Sequence, residues 1–334
     1  DDVDNPTRIS RTTRTNEPNG SGGVKSDQLS ASKACFAYDA LNRLLTAAES
    51  TKTDVTSLSA CRPTVAADVT RDYDYTYDYG SKGDRLFSVT SAVAGTPVTA
   101  DYAYPTDEAQ HQLAEITHSG TPSAADAERL PATRTQQWNA AGHLDSSTQS
   151  TGADTYTYDH QRRLVTTALA GGPTVTNAYA ADGIRLAALT EEDGDDTLTL
   201  YLPSGLEITA TKAGSATAYI TESARRDHTD GGFALASQDG NDLTWLVADT
   251  QGSIRLTATA VANTATPVVT AQNYTPYGDP LTTPVDTPGD KGYLGKTHDA
   301  TGDIRLDHRT FNAGSGLFTS PDPILITTDP LNFN

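Results

Sequence analysis

What most constrains this chain is a short unit that keeps returning: an aromatic residue, Asp or Asn, a few turn-forming residues, then Arg-Leu or a close equivalent. It reads Tyr38-Asp39 with Arg43-Leu44, Tyr77-Asp78 with Arg85-Leu86, Trp138-Asn139 with His143-Leu144, and Tyr158-Asp159 with Arg163-Leu164. Tyr179 with Gly183 and Arg185-Leu186, and Asp249 with Gly252 and Arg255-Leu256, continue the series. Where the array is tightest, its aromatic positions fall at 138, 158 and 179, a spacing that suits two short strands and two turns per unit.

The unit is readable as chemistry. Side chains alternate along a strand, so Tyr-x-Tyr places both rings on one face. The Asp that follows can accept from the backbone two residues on, and Gly or Asn tolerates positive φ, so a turn is expected there. Arg-Leu then opens the returning strand. The clearest alternation is Asp72-Tyr73-Asp74-Tyr75-Thr76-Tyr77-Asp78-Tyr79, which predicts a strand with a tyrosine face and an acidic, solvated one. No helical period is sustained for ten residues, although residues 123–130 could make a turn or two.

Leu, Ile, Val and Phe together supply only 17% of the 334 residues, a content that with high net charge ordinarily signals disorder. Fifteen Tyr and 52 Thr in a repeating pattern argue instead for a β-rich object with a thin, sheet-like wall. Forty-three acidic against 24 basic residues give a net charge of −19, which argues against nucleic acid or an anionic membrane as the main partner. No apolar run is long enough to span a bilayer, and Asp1–Asp4 lead into no apolar segment of the kind a signal peptide needs. The absence of Met, even at position 1, is expected of a piece of a longer chain.

Composition divides the chain into three. Residues 1–32, rich in Asn, Gly, Ser and Thr, read as a linker or loosely attached arm; 33–270 carry the repeats; 271–334 form a distinct closing segment. Residues 54–69 read as an insertion between units, and residues 193–196 and 284–290 as loops.

The tyrosine–aspartate unit resembles the YD repeats of Rhs proteins, teneurins and the C subunits of bacterial Tc toxins. The closing segment is more specific. Tyr274-Thr275-Pro276-Tyr277-Gly278, then Gly295, Thr301-Gly302-Asp303-Ile304-Arg305, and Arg309 through Gly316-Leu317-Phe318 to Asp322-Pro323, follow the order of the Rhs-associated core. About 60 residues carry that match, and the Thr/Ala/Asp-rich style resembles actinobacterial members. Phe311-Asn312-Ala313 departs from the family's Tyr-Asp-Pro, and Leu317 stands where Arg is usual. The resemblance implies an all-β fold: a spiralling array of hairpins forming part or all of a hollow shell that houses the protein's own C-terminal effector polypeptide.

Three functions follow as expectations. The first is a non-enzymatic scaffold, secreted or at the cell surface, that encapsulates or presents an effector. The second is an adhesion or carbohydrate-binding module, in which Tyr73 and Tyr75 stack on a cell-surface glycan. The third is aspartyl self-cleavage, which the resemblance assigns in part to Asp322 and which needs sequence downstream; Asp329-Pro330 lies nearby. No cofactor, metal site or nucleic-acid partner is expected. The histidines (111, 118, 143, 160, 228, 298 and 308) show no ligand spacing and read as surface or turn residues. The acidic run 191–196 reads as a solvated turn rather than a calcium loop, and Gly314-Ser315-Gly316 as a turn without a nucleophile. Cys35 and Cys61 bracket the insertion, and sequence leaves both the joined and the free state open. The arginines Arg43, Arg85, Arg163, Arg185, Arg255 and Arg305 are expected to bond a turn carboxylate or a neighbouring tyrosine hydroxyl.

Overall fold

The computed structural model describes residues 8–15, 28–53, 57–62, 67–80, 86–93, 95–105, 112–231, 233–260, 267–281, 290–306 and 308–322. Arg85, Pro323, Asp329, Pro330, His111 and most of the 284–290 loop lie outside the described residues. The fold is all-β, and consecutive strands pair antiparallel along the chain. It divides into two units: residues 1–103 with 116–133, and 104–115 with 134–334.

In the first unit, β1 (Arg8–Thr15), β2 (Gln28–Tyr38), β3 (Leu44–Thr53), β4 (Val69–Asp78), β5 (Ser88–Ser91) and β6 (Val98–Ala103) pair in chain order. Within the stretch 1–32 expected to be an arm, the described residues 8–15 and 28–32 are strand instead: β1 pairs with β2 over eight positions, from Arg8 with Cys35 to Thr15 with Gln28. A backbone ladder needs no apolar period, and Thr-rich sequence is favourable for it. Residues 123–130 hold the expected turn of helix, α1 (Ala124–Ala127), with Ser123 as its N-cap.

The tyrosine face of β4 is the core of this unit. Tyr73, Tyr75, Tyr77 and Tyr79 are all buried, and the first two rings stack with centroids 5.6 Å apart. On the opposite face Thr76 and Asp78 are exposed as expected, but Asp74 is not. Asp74 is buried between Arg62 and Arg71, both of which pair with it. A carboxylate loses its water at low cost only when cations replace it, and here two do.

Cys35 and Cys61 form a disulfide, with Cα atoms 5.8 Å apart. Lys33 reinforces it by donating to the carbonyls of Leu58 and Ser59, so this part of the insertion folds back onto β2.

The second unit continues with β8 (Arg134–Trp138), β9 (Leu144–Gln149), β10 (Gly152–Tyr158), β11 (Leu164–Ala168), β12 (Thr174–Tyr179) and β13 (Arg185–Glu192). It goes on through β14 (Asp195–Leu202), β15 (Leu206–Lys212), β16 (Ile220–Asp230), β17 (Phe233–Asp239), β18 (Asp242–Ala248), β19 (Ile254–Thr259) and β20 (Val268–Ala271). β7 (Glu115–Ser119) precedes them in the chain. Each strand from β8 to β20 pairs with the next in sequence. A separate small sheet holds β21 (Asp303–Leu306), β22 (Arg309–Asn312) and β23 (Leu317–Phe318). Apolar packing is local, as the lean composition requires: Leu144, Tyr156 and Leu164 form one nucleus, Ile304, Phe311 and Ala313 another.

One turn with positive φ at its fourth residue recurs eight times among the described residues. The first residue donates its N–H to the carbonyl four residues on, and the fourth donates back to the first. It starts at Asp39, Asn139, Asp159, Ala180, Asp249, Thr275, Gly292 and Asp299. The fourth residue has positive φ each time: Asn42, Gly142, Arg162, Gly183, Gly252, Gly278, Gly295 and Gly302. Where Asp or Asn opens the turn at 39, 139, 159 and 249, its Oδ1 accepts from the N–H groups two and four residues on. This is the chemistry read from the repeat, and it explains why Gly dominates the fourth position.

Candidate functional site: the closing segment on the strands

The repeat residues build one local knot. In the first unit, the Arg43 guanidinium lies 4.7 Å from the Tyr79 ring centre, and Tyr79 Oη donates to the Leu44 carbonyl. In the second, Arg163 lies 5.0 Å from the Tyr179 ring, and Tyr179 Oη donates to the Leu164 carbonyl. Arg43 and Arg163 also donate to their own turn aspartates, Asp39 and Asp159. Burial works to raise those two carboxyls, but the hydrogen bonds and charge of the arginines outweigh it and hold both below the ordinary carboxylate range. Each knot joins a cation–π contact to a charge-assisted hydrogen bond, so Arg, Asp and Tyr recur as a set. Arg185 departs in detail, donating to Tyr201 Oη and to Asp299. Arg255 lies 5.8 Å from the Tyr274 ring centre and donates to the Asn273 amide oxygen.

The closing segment docks on the second unit along the turn ends of these strands, and its contacts pass from the later strands, β15, β16 and β19, back to the earlier ones, β8 to β10. The Gly292 carbonyl accepts from Ile254 N–H at the start of β19, and Leu294 N–H donates to Ser253 Oγ. Lys291 bridges Glu207 on β15 and Asp227 on β16. Asp299 pairs with Arg185 on β13 at 2.6 Å, and Arg305 donates to Tyr179 Oη on β12. Asn312 Oδ1 accepts from Arg134 on β8. Finally, the Thr319 carbonyl accepts from Leu144 N–H on β9 and from Tyr158 Oη on β10.

These contacts are buried, and burial sets their electrostatics. Desolvation opposes the charges on Arg185 and Lys291, yet Asp299 beside the first, and Glu207 with Asp227 beside the second, overcome it and raise both cations. Burial pushes the wholly enclosed Asp303 carboxyl up to about 6, although it accepts from Asn312 Nδ2 at 2.9 Å. Asn312 is therefore a hub: its Oδ1 faces Arg134 and Ser315 N–H while its amide faces Asp303. An Asp at 312, the residue usual in the resembling family, would set two carboxylates against each other here. Asp279 is likewise pushed up to about 6 by burial.

Two histidines correct the sequence reading. His143 is buried and stacks on Tyr158 with centroids 4.5 Å apart. His298 accepts from Tyr293 N–H, and burial lowers it to about 4, so it stays neutral. His143, at the position of the repeat arginine, packs on a repeat tyrosine, and His298 packs within the closing segment against Tyr274.

The remaining core-motif residues are placed as follows. Tyr274 is buried against Tyr293, and Gly278 lies under the Tyr293 ring. Tyr277 packs on the Ile304 nucleus, Gly295 meets the Gly252 carbonyl and Gly316 lies against Tyr277. Ser315 is a buried turn residue whose hydroxyl donates to the Asn312 carbonyl. Asp322 pairs with Arg309 at 3.3 Å, and Arg309 stacks over Phe318. Trp138 donates to the Leu113 carbonyl, and Tyr38 and Asp78 sit at strand ends, Asp78 accepting from Gly80 N–H. In the 191–196 run, Asp196 is not simply solvated: it pairs with Lys212 and accepts from Tyr219. Among the described residues no group of three or more His, Cys, Asp or Glu gathers as a metal site would. Tyr73 and Tyr75 are each 2% exposed and offer no ring face to a sugar, which removes the rings on which the carbohydrate reading rested.

No family model and no curated protein matches the chain. Among solved structures, 96% of it aligns with 21% of a chain in the TcdB2–TccC3 complex, at 15% identity and a TM-score of 0.44. The Tc holotoxin pore of Photorhabdus luminescens gives 15% identity and a TM-score of 0.39, over 96% of this chain and 20% of that one. A porin-like protein from Bacteroides uniformis gives 11% identity and a TM-score of 0.28, over 79% and 94%. The chain thus spans about a fifth of the length of the Tc-toxin chains it is similar to. No helix among the described residues is long and apolar enough to cross a membrane, which says nothing of strands.

Proposed function

We propose that this chain is the repeat wall and closing segment of an Rhs/YD-repeat-type toxin scaffold, secreted or displayed at the cell surface. Its work is steric: it holds a C-terminal effector polypeptide rather than turning over a substrate. The observation that carries this reading is the docking of the motif-bearing segment across the strands. Residues resembling the Rhs-associated core make buried ion pairs with β13, β15 and β16 and backbone hydrogen bonds with β9 and β19. A segment fixed in this way braces the strands at their turn ends.

Protease protection of the natural full-length protein tests the reading. The effector part should resist trypsin until the wall unfolds, and should be cut readily when expressed alone. Equal cutting in both forms overturns containment. The self-cleavage reading, which belongs with a longer chain, rests on Asp322; here that carboxylate is held by Arg309. Asp322→Asn in the full-length protein should leave an otherwise clipped product intact, and an unchanged clipping pattern excludes Asp322.

A further inference from the structure

Two hollows border the docked segment and share Gly183, Arg305 and His308. One, of about 230 Å³, lies beside the 159–163 turn; the other, of about 520 Å³, lies beside β13. Together their linings contain Arg162, Arg163, Arg185, Lys291, Lys296 and Arg305, against two carboxylates, Asp182 and Asp322. In a chain with 43 acidic and 24 basic residues, this is a local inversion of charge.

Some of these cations are engaged: Arg163 with Asp159, Arg185 with Asp299, Lys291 with Glu207 and Asp227. Arg162 is different. It is exposed, and among the described residues it makes no ion pair or side-chain hydrogen bond. Its backbone is also costly. It holds φ 65° at the fourth position of the recurring turn, where six of the eight examples carry Gly and one carries Asn. A bulky residue in left-handed backbone, where glycine would close the same turn without strain, points to a use for its side chain.

We propose that this cleft binds an acidic polypeptide segment in extended form. The cations are distributed along the cleft and interleaved with Leu164, Tyr179, Tyr201 and Pro321, rather than converging on one oxyanion. That spacing suits carboxylates carried on a backbone, with apolar contacts between them. A nucleic acid would spread its phosphates over a surface of net charge −19, whereas a short peptide in the cleft meets a lining in which six cations outnumber two carboxylates. The inference stands on the cleft and does not require the containment reading.

Fluorescence anisotropy of labelled octaglutamate with the whole protein tests it. Saturable binding is expected at 50 mM NaCl, weakened at least tenfold at 500 mM. Arg162→Gly should weaken it about tenfold while leaving the thermal midpoint no lower, because glycine suits the turn; adding Lys296→Gln should weaken it further. Arg226→Gln, on exposed β16 outside the cleft, should change nothing. Absence of saturable binding, equal binding by Arg162→Gly, or equally tight binding of octauridylate or inorganic phosphate overturns the proposal.

Discussion

Asp303 gives the sharpest test of how the closing segment is held. It is 2% exposed at the start of β21, and burial, abetted by the nearby Asp299 charge, raises it from 3.8 to about 6 against the opposing influence of Asn312 and Arg305. The native protein therefore keeps this proton to higher pH than the unfolded chain does. Below about pH 4 both states are protonated and the stability is fully present. Between about pH 4 and 6 the unfolded chain releases its proton first, so stability falls as pH rises, and it levels off above the native value. The interval from 3.8 to about 6, at about 1.4 kcal/mol per pH unit, amounts to about 3 kcal/mol. Asp303→Asn keeps the shape and the acceptor for Asn312 Nδ2 but has nothing to ionise. The variant should match the wild type near pH 4 and exceed it by up to about 3 kcal/mol at pH 7.5. Urea titrations followed by tryptophan fluorescence measure this, since Trp138 packs on the Leu144 nucleus in the same unit. Asp279 titrates in the same range in both proteins and cancels in the difference. Parallel stability profiles from pH 4 to 7.5 would refute the argument.

Four further outcomes are expected. Reducing Cys35–Cys61 frees a loop with a sequence separation of 26 and should cost about 3.5 kcal/mol by loop-closure entropy, seen as a lower denaturation midpoint with dithiothreitol; an unchanged midpoint excludes a constraining role. Gly278→Ala combines φ +90° with a Cβ 2.5 Å from Tyr293 Cδ1, and should cost about 2–4 kcal/mol, whereas Gly194→Ala, with open space around it, should cost about 1. Lys291→Met leaves Glu207 and Asp227 buried without their shared cation and should cost about 3–5 kcal/mol in urea unfolding, most of it recovered when both acids are also replaced by their amides. Arg162→Gly should stabilise by about 1 kcal/mol in the same assay, and a destabilised variant would remove the strain argument.

The turn and the strand were legible because both are local. Tyr-x-Tyr fixes a face, and Asp39 or Asp159 meets its own backbone within four residues, so the sequence order contains the partner. The knot of Arg163 with Tyr179 is one repeat away and was half legible: a hydroxyl or carboxylate was expected, the stacked ring was not. What could not be read is what crosses the chain. Asp74 looked solvated because Arg62 comes from the insertion, 12 residues away. His143 and His298 are covered by the rings of Tyr158 and Tyr274, 15 and 24 residues away in sequence. The strand at 8–15 was missed for the opposite reason: its stability lies in backbone pairing with β2, and Thr-rich sequence carries no apolar signature of that. Arg162 carries no signal in the sequence, since a positive φ at a non-glycine is visible only in the backbone.

The reverse path of the closing segment has a consequence for biosynthesis. Strands β8 to β19 leave the ribosome long before the residues that clasp them, and the clasp contacts join positions 38 to 178 apart in sequence. Contacts so remote form late and slowly. A nascent chain stalled before residue 290 would carry its hairpins without Lys291, Asp299, Arg305 or Thr319, and so with Asp227 and Arg185 missing these counter-charges and Glu207 left with Arg225. Unfinished copies are thereby chemically distinguishable from finished ones, and proteases that sample loosely held strands can remove them before anything translated later is left uncovered.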